Sequence, residues 1–132
     1  DDELQTGIDL HADESAVNVN LWITPDEENT DGSSGGLTIY DAAVDPAGTI
    51  SFGDYNAPAP RANGDKSKVM ELLENSSWSN VSVPYRQNRA TIFDGSRIHT
   101  TQPLAFRKGG SVRSRRINLT FLFGARGSYC HL

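Results

Sequence analysis

Residues 16–24 alternate strictly between apolar and other side chains. Val17, Val19, Leu21 and Ile23 fall on one side, and Asn18, Asn20 and Trp22 on the other. A period of two is the mark of a strand with unlike faces, and Pro25 ends it. The stretch Arg113–Phe123 predicts a second such strand, with Ile117, Leu119, Phe121 and Phe123 opposite Arg116, Asn118 and Thr120. Shorter strands are predicted at Gly7–Leu10, Leu37–Tyr40, Thr49–Phe52, Asn80–Pro84, Arg89–Phe93 and Arg97–Thr101. The glycines at 32, 35 and 36 read as a hairpin turn, and Asn56–Gly64, with Pro58 and Pro60, as an irregular loop. One helix is predicted, over Lys66–Asn75, capped by Asp65 and with Val69, Leu72 and Leu73 on one face. Short strands with a single helix predict an all-β sandwich or barrel, most simply a jelly roll.

Composition narrows this further. The 132 residues fit one domain, residues 1–132, and 12 glycines with 6 prolines suit many short strands. No apolar run reaches the roughly 20 residues that cross a bilayer as a helix. A lone cysteine, Cys130, excludes an internal disulfide framework and a CxxC-type zinc site, and favours the cytoplasm. The net charge of −5 hides an asymmetry. Residues 1–60 hold 13 acidic and no basic side chains, whereas residues 61–132 hold 12 basic and 4 acidic ones. Halves of about 60 residues are marginal as separate domains, so one domain with acid lying against base is expected. The basic half lacks the interleaved aromatics that stack on bases, which argues against nucleic acid as a partner.

Candidate chemistry begins at His11-Ala12-Asp13. Residues i and i+2 of an extended segment point the same way, so imidazole and carboxylate can grip one ion. A third ligand must come from His99 or His131, and the penultimate position of His131 favours His99, 86 residues after Asp13. Two histidines and a carboxylate on one face of an octahedral ion leave three positions free, the ligand set of non-haem Fe(II) oxygenases. Such iron needs a two-electron donor, which 2-oxoglutarate supplies while chelating through its keto acid. The distal carboxylate then needs a fixed cation, a task for which arginine's planar fork is suited. Arg116 is expected on a strand neighbouring that of His99, with Asn118 and Thr120 on the same face. Arg113 and Arg115 are its rivals. Arg115 has the wrong parity, and Arg113 lies nearer the strand entrance.

His11-x-Asp13, Val17–Pro25, Gly35-Gly36-Leu37, Pro84–Arg89, Ile92-Phe93-Asp94, His99 and Arg116–Thr120 together resemble the 2-oxoglutarate/Fe(II)-dependent dioxygenase superfamily. The likeness is greatest to its prolyl-hydroxylase-like branch, whose last core strand carries a basic residue followed four positions later by Thr. It spans roughly residues 6–124. The resemblance implies a double-stranded β-helix in which His11, Asp13 and His99 hold Fe(II) and Arg116 pairs with the cosubstrate. Thr120 maps onto a supporting hydroxyl, and Tyr40 onto a tyrosine facing the cosubstrate. It also implies O2 as co-reactant and hydroxylation of an unidentified primary substrate, with 2-oxoglutarate converted to succinate. In the family a further strand and several helices precede the H-x-D strand, whereas ten residues precede His11 here. The expectation is a fragment of a longer chain with the first core strand missing or rudimentary, or a partner covering the larger sheet. The polar rows Asn18/Asn20 and Asn118/Thr120 should face the cavity, and the apolar rows the opposite side.

A non-catalytic jelly-roll module of the cupin or lectin type is the alternative, with the polar rows contacting a sugar or peptide. Other local patterns carry less. Glu27-x-Asn29-x-Asp31-Gly32 imitates the start of an EF-hand loop, but Thr38 stands where the twelfth-position Glu should be. The glycine cluster has neither GxGxxG nor a Walker lysine.

Overall fold

The computed structural model describes residues 10–43 and 79–124. Six strands form two antiparallel sheets: β1 (Val17–Trp22), β2 (Leu37–Ala43), β3 (Asn80–Val83), β4 (Ala90–Phe93), β5 (Arg97–Thr101) and β6 (Asn118–Phe123). One sheet has the order β4-β1-β6, the other β3-β2-β5. The all-β expectation holds. The expected strand at 49–52, helix at 66–75 and loop at 56–64 lie outside the described residues, as do most of 7–10, Cys130 and His131.

Strand β1 shows how the sequence positions the interior. Asn18, Asn20 and Trp22 are buried, whereas Val17, Val19 and Leu21 are exposed or half-buried. Register carries this alternation across the sheet. Asn18 sits opposite Phe93 and Leu122, Asn20 opposite Thr91 and Thr120, and Trp22 opposite Asn118. Both polar rows therefore take the inner side. The outer side is apolar, with Val19 between Ile92 and Phe121 and Val17 opposite Phe123. It meets solvent: Ile92 is 69% and Phe123 56% exposed.

The sheets meet through Trp22, Leu37, Tyr85 and Phe106, with Ile39, Val83, Phe93 and Leu104 packed around them. Trp22 and Phe93 come from one sheet, and Leu37, Ile39 and Val83 from the other. Tyr85 lies 5.3 Å from the Trp22 ring and edge-on to Phe106 at 5.0 Å. Its hydroxyl donates to the Thr24 carbonyl at 2.6 Å, so the buried phenol is satisfied.

Three expectations are corrected. First, the glycine cluster does not close a hairpin, because β1 and β2 belong to different sheets. Residues 23–36 cross between them, through a 3-10 turn at Asp26–Glu28 and Asn29 and Asp31 side chains bonded to residues 31–34. Second, the last strand begins at Asn118 rather than Arg113. Ser111 accepts from the backbone N–H of Arg113 and caps a 3-10 turn over Val112–Ser114. The Thr24 hydroxyl then accepts from Ile117 N–H at 2.8 Å and donates to the Arg115 carbonyl at 2.6 Å. A side chain thus takes the place of ladder partners there. Third, β6 does not neighbour β5. They lie in opposite sheets, and Arg116 precedes β6.

Candidate metal centre

An isolated antiparallel bridge joins His11 to His99 in β5. His11 N–H donates to the His99 carbonyl at 3.0 Å, and His99 N–H returns the bond at 2.8 Å. Two residues on, Asp13 N–H donates to the Gly95 carbonyl at 2.8 Å, which fixes the H-x-D segment against the β4–β5 connection. One ligand atom from each of His11, Asp13 and His99 then lies within 4.8 Å of the others. The imidazole rings are 4.1 Å apart, and Phe93 stands edge-on to His99 at 4.9 Å.

The tautomer of His99 follows from its second nitrogen. Nδ1 lies 2.9 Å from the Arg97 carbonyl, an acceptor only, so Nδ1 carries the proton. Nε2 is left with its lone pair and lies 3.5 Å from Asp13 Oδ2. Holding one ring nitrogen by a carbonyl is how metal-ligating histidines are oriented. Burial pushes the His99 pKa below its usual value, and His11 beside it acts the same way, against the Arg97 carbonyl and Asp13. His11 Nε2 lies 3.9 Å from Asp13 Oδ1.

Asp13 is itself held. Asn18, fully buried on β1, donates from Nδ2 to Asp13 Oδ2 at 2.6 Å, and the Ser15 hydroxyl donates to Asn18 Oδ1. The other face of this chain is closed by Gly95. A Cβ there would stand 2.5 Å from the Ser15 carbonyl oxygen, 2.9 Å from Asn18 Oδ1 and nearer still to the Ser15 hydroxyl.

Further along the inner face, Asn20 Oδ1 accepts from Asn118 Nδ2 at 2.8 Å and from the Thr120 hydroxyl at 2.7 Å. Next comes Arg116, whose guanidinium lies 5.9 Å from the Trp22 ring centroid while Nε donates to the Gly35 carbonyl at 2.7 Å. Burial lowers its pKa, with Tyr85 acting in the opposite direction. Its Nη2 is buried with no hydrogen-bond partner, as are Trp22 Nε1, Thr91 Oγ1 and Asn118 Oδ1. Buried orphan donors are costly, and an anion between the sheets would satisfy Arg116. The rivals do not share this placement, since Arg113 and Arg115 are exposed.

The structure thus brings His11, Asp13 and His99 together and places Asn118 and Thr120 on the face of Asn20 and Trp22, with Arg116 beside Trp22; Arg116 and Asn118 are half-buried there and Thr120 is exposed. Tyr40 is different. It pairs with Asn80 and follows Ile39, which packs on the core, so alternation sends it to the other side of β2. Sequence reasoning gave Asn18 only a place in a cavity-facing polar row, not a contact with Asp13, and gave Trp22 and Tyr85 no site role. The signal for Asn18 was its place, with Asn20, on the polar side of an otherwise apolar strand. Tyr85 carried no local signal.

No protein-family model, no curated protein and no solved structure matches this chain. Its class rests on the geometry: an all-β protein with a His–Asp–His group able to hold a metal ion. Among the described residues, no helix is long and apolar enough to cross a membrane.

Proposed function

We propose that this chain is the core of an Fe(II)- and 2-oxoglutarate-dependent dioxygenase that hydroxylates a C–H bond. The observation that carries the reading is the meeting of His11 and Asp13 with His99, a two-histidine, one-carboxylate set on a closed pair of strands. Neutral imidazole nitrogens and one carboxylate oxygen suit a first-row divalent ion and leave coordination positions for other ligands. The strand orders β4-β1-β6 and β3-β2-β5, with the His11 segment extending the second sheet beyond β5, support a jelly roll.

Bound Fe(II) and 2-oxoglutarate supply the oxidation: one O2 oxygen enters succinate, the other enters the product as hydroxyl, and CO2 is released. The chain's own groups do the rest. His99 offers Nε2 because Arg97 holds Nδ1, and Asp13 supplies the negative charge. Arg116 offers Nη2 to the distal carboxylate of the cosubstrate, a charge-assisted bond. Thr120 and Asn118 are the polar groups of the inner face between these ends. Strand β1 sets the span: Asn18 touches Asp13, Trp22 underlies Arg116, and the two are four residue steps apart, about 13 Å along the strand. A five-carbon dicarboxylate and the extended Arg116 side chain bridge that span together.

The test is anaerobic. Protein given Fe(II) should show a metal-to-ligand charge-transfer absorption on addition of 2-oxoglutarate, and Asp13→Ala should abolish it. Succinate release with O2 then reports turnover. Absence of the absorption from the wild-type chain would return it to the class of non-catalytic jelly-roll binding modules.

A further inference from the structure

The geometry points to Asn18 as a positioning residue that fixes the rotation of the Asp13 carboxylate, so that Asp13 meets a metal through Oδ1 alone. This rests on the metal-binding part of the reading above and is independent of the cosubstrate. An aspartate on a flexible connection could chelate an ion through both oxygens. Two observations argue against that here. Asn18 Nδ2 already donates to Oδ2 at 2.6 Å, which commits one lone pair of that oxygen. Asn18 cannot swing away, because the Ser15 hydroxyl holds its Oδ1 and both residues are buried. Oδ1 faces His11 Nε2 at 3.9 Å, whereas Oδ2, already bonded to Asn18, lies 3.5 Å from His99 Nε2.

The sequence of donors is directional. The Asp13 carboxylate can only accept, so the Asn18 amide presents its NH2 to Asp13 and its oxygen to the Ser15 hydroxyl, which donates. An Asn flipped the other way would set its oxygen against a carboxylate. Asp13, Ser15 and Asn18 lie within one stretch that enters β1, and Gly95 of the β4–β5 connection packs against it. Gly95 leaves the space that lets the chain close against that connection. The hydrogen bonds of the device are therefore local, and the tertiary fold contributes the wall at Gly95. By holding Asp13 to one oxygen it leaves a third open position on the ion, which bidentate chelation would fill.

The experiment uses Co(II) as the probe. Wild type, Asn18→Leu, Asn18→Asp and Ser15→Ala are titrated calorimetrically, and the d–d absorption of each saturated complex is recorded. Asn18→Leu keeps the side chain's size and deletes the donor. It should weaken Co(II) by about 10- to 100-fold, the usual cost of losing a partner of a metal ligand, and should alter the saturated spectrum. Asn18→Asp, which sets a carboxylate against Asp13, should alter it too. Ser15→Ala, which keeps the Asn18 donor but frees its other end, should shift both quantities the same way by less, and remains readable if an Asn18 variant fails to fold. A purely structural Asn18 would lower the metal-free melting temperature while leaving the saturated spectrum as in wild type. That result, or Co(II) affinity within twofold of wild type in the folded variants, overturns the inference. A wild-type chain that takes up no Co(II) overturns the metal site itself, a separate and earlier outcome.

Discussion

Arg116→Met isolates the half-buried cation beside Trp22. Methionine keeps an unbranched stem against Trp22 and deletes the guanidinium. Three contacts go with it: the bond from Nε to the buried Gly35 carbonyl, the approach to the Trp22 ring, and the donor held at Nη2. The first two belong to the folded protein alone. An unsatisfied buried carbonyl costs about 1–3 kcal/mol and the cation–π contact about 0.5–1 kcal/mol. Met also removes the cost of burying an unpartnered charged donor, which offsets part of that loss, so the net fall in metal-free stability should be about 1–2 kcal/mol. The third contact exists only with a bound carboxylate. Its loss should cost about 1.5–3 kcal/mol, or roughly 10- to 150-fold in 2-oxoglutarate Kd. Fe(II) affinity should not change, since Arg116 is not a ligand. The assay titrates 2-oxoglutarate anaerobically into the Fe(II)-loaded wild type, Arg116→Met, Arg113→Ala and Arg115→Ala, with urea midpoints alongside. Unchanged cosubstrate affinity in Arg116→Met, with loss in either exposed neighbour, would refute the assignment.

Other consequences follow from the same contacts. Gly95→Ala should destabilise the chain by about 1–3 kcal/mol, because its Cβ meets the Ser15 backbone and Asn18; a urea midpoint equal to wild type would show that the crossing is looser than described. His99 has a folded-state pKa below its ordinary value through burial. Its contribution to metal-free stability is therefore complete above about pH 6.5 and is lost as pH falls through the lower folded value. Urea midpoints from pH 8 to 5 should fall more steeply in wild type than in His99→Leu, and parallel curves would contradict this. Ile92→Lys on the outer sheet face should change stability by less than about 0.5 kcal/mol while lowering the fluorescence of a bound apolar dye. A loss of several kcal/mol there would mean that Ile92 is packed.

Much of the fold was legible where one physical signal acted alone. The alternation of Val17–Trp22 gave the strand and its two unlike faces, and the resemblance to the dioxygenase superfamily implied that the Asn18/Asn20 row is the inner one, as both residues' burial bears out. Strands β3, β4 and β5 were bounded by Pro84 and by Asp94-Gly95-Ser96, residues whose backbone preferences interrupt a ladder. Errors came where side chains competed with the backbone. Ser111 and Thr24 take over hydrogen bonds near residues 113–117, so the polar–apolar pattern there continued beyond the strand that it implied. Sheet membership was misread at the glycine cluster and at Arg116, because alternation fixes a face and says nothing about which neighbour is paired. The site was half visible. His11 and Asp13 share a face by local geometry, and His99 was the histidine left within a strand. The bond of Asn18 to Asp13 depends on how the chain bends into β1, and the nearness of Tyr85 to Arg116 on a long-range approach, neither of which a one-dimensional pattern encodes.

The reciprocal backbone pair between His11 and His99 also governs when the centre can come into being. Two ligands lie near the start of this chain and the third 88 residues after His11. During synthesis His11 and Asp13 are made first, and a pair of ligands holds an ion only loosely until His99 arrives. Closing so long a loop is entropically costly before any contact rewards it, which makes such topologies slow to form. An ion that binds the finished site alone adds its binding free energy to the native state only. If the centre takes a metal as proposed, its capture would act as a late check on assembly: a chain whose β5 has not joined the His11 segment has no complete centre to load.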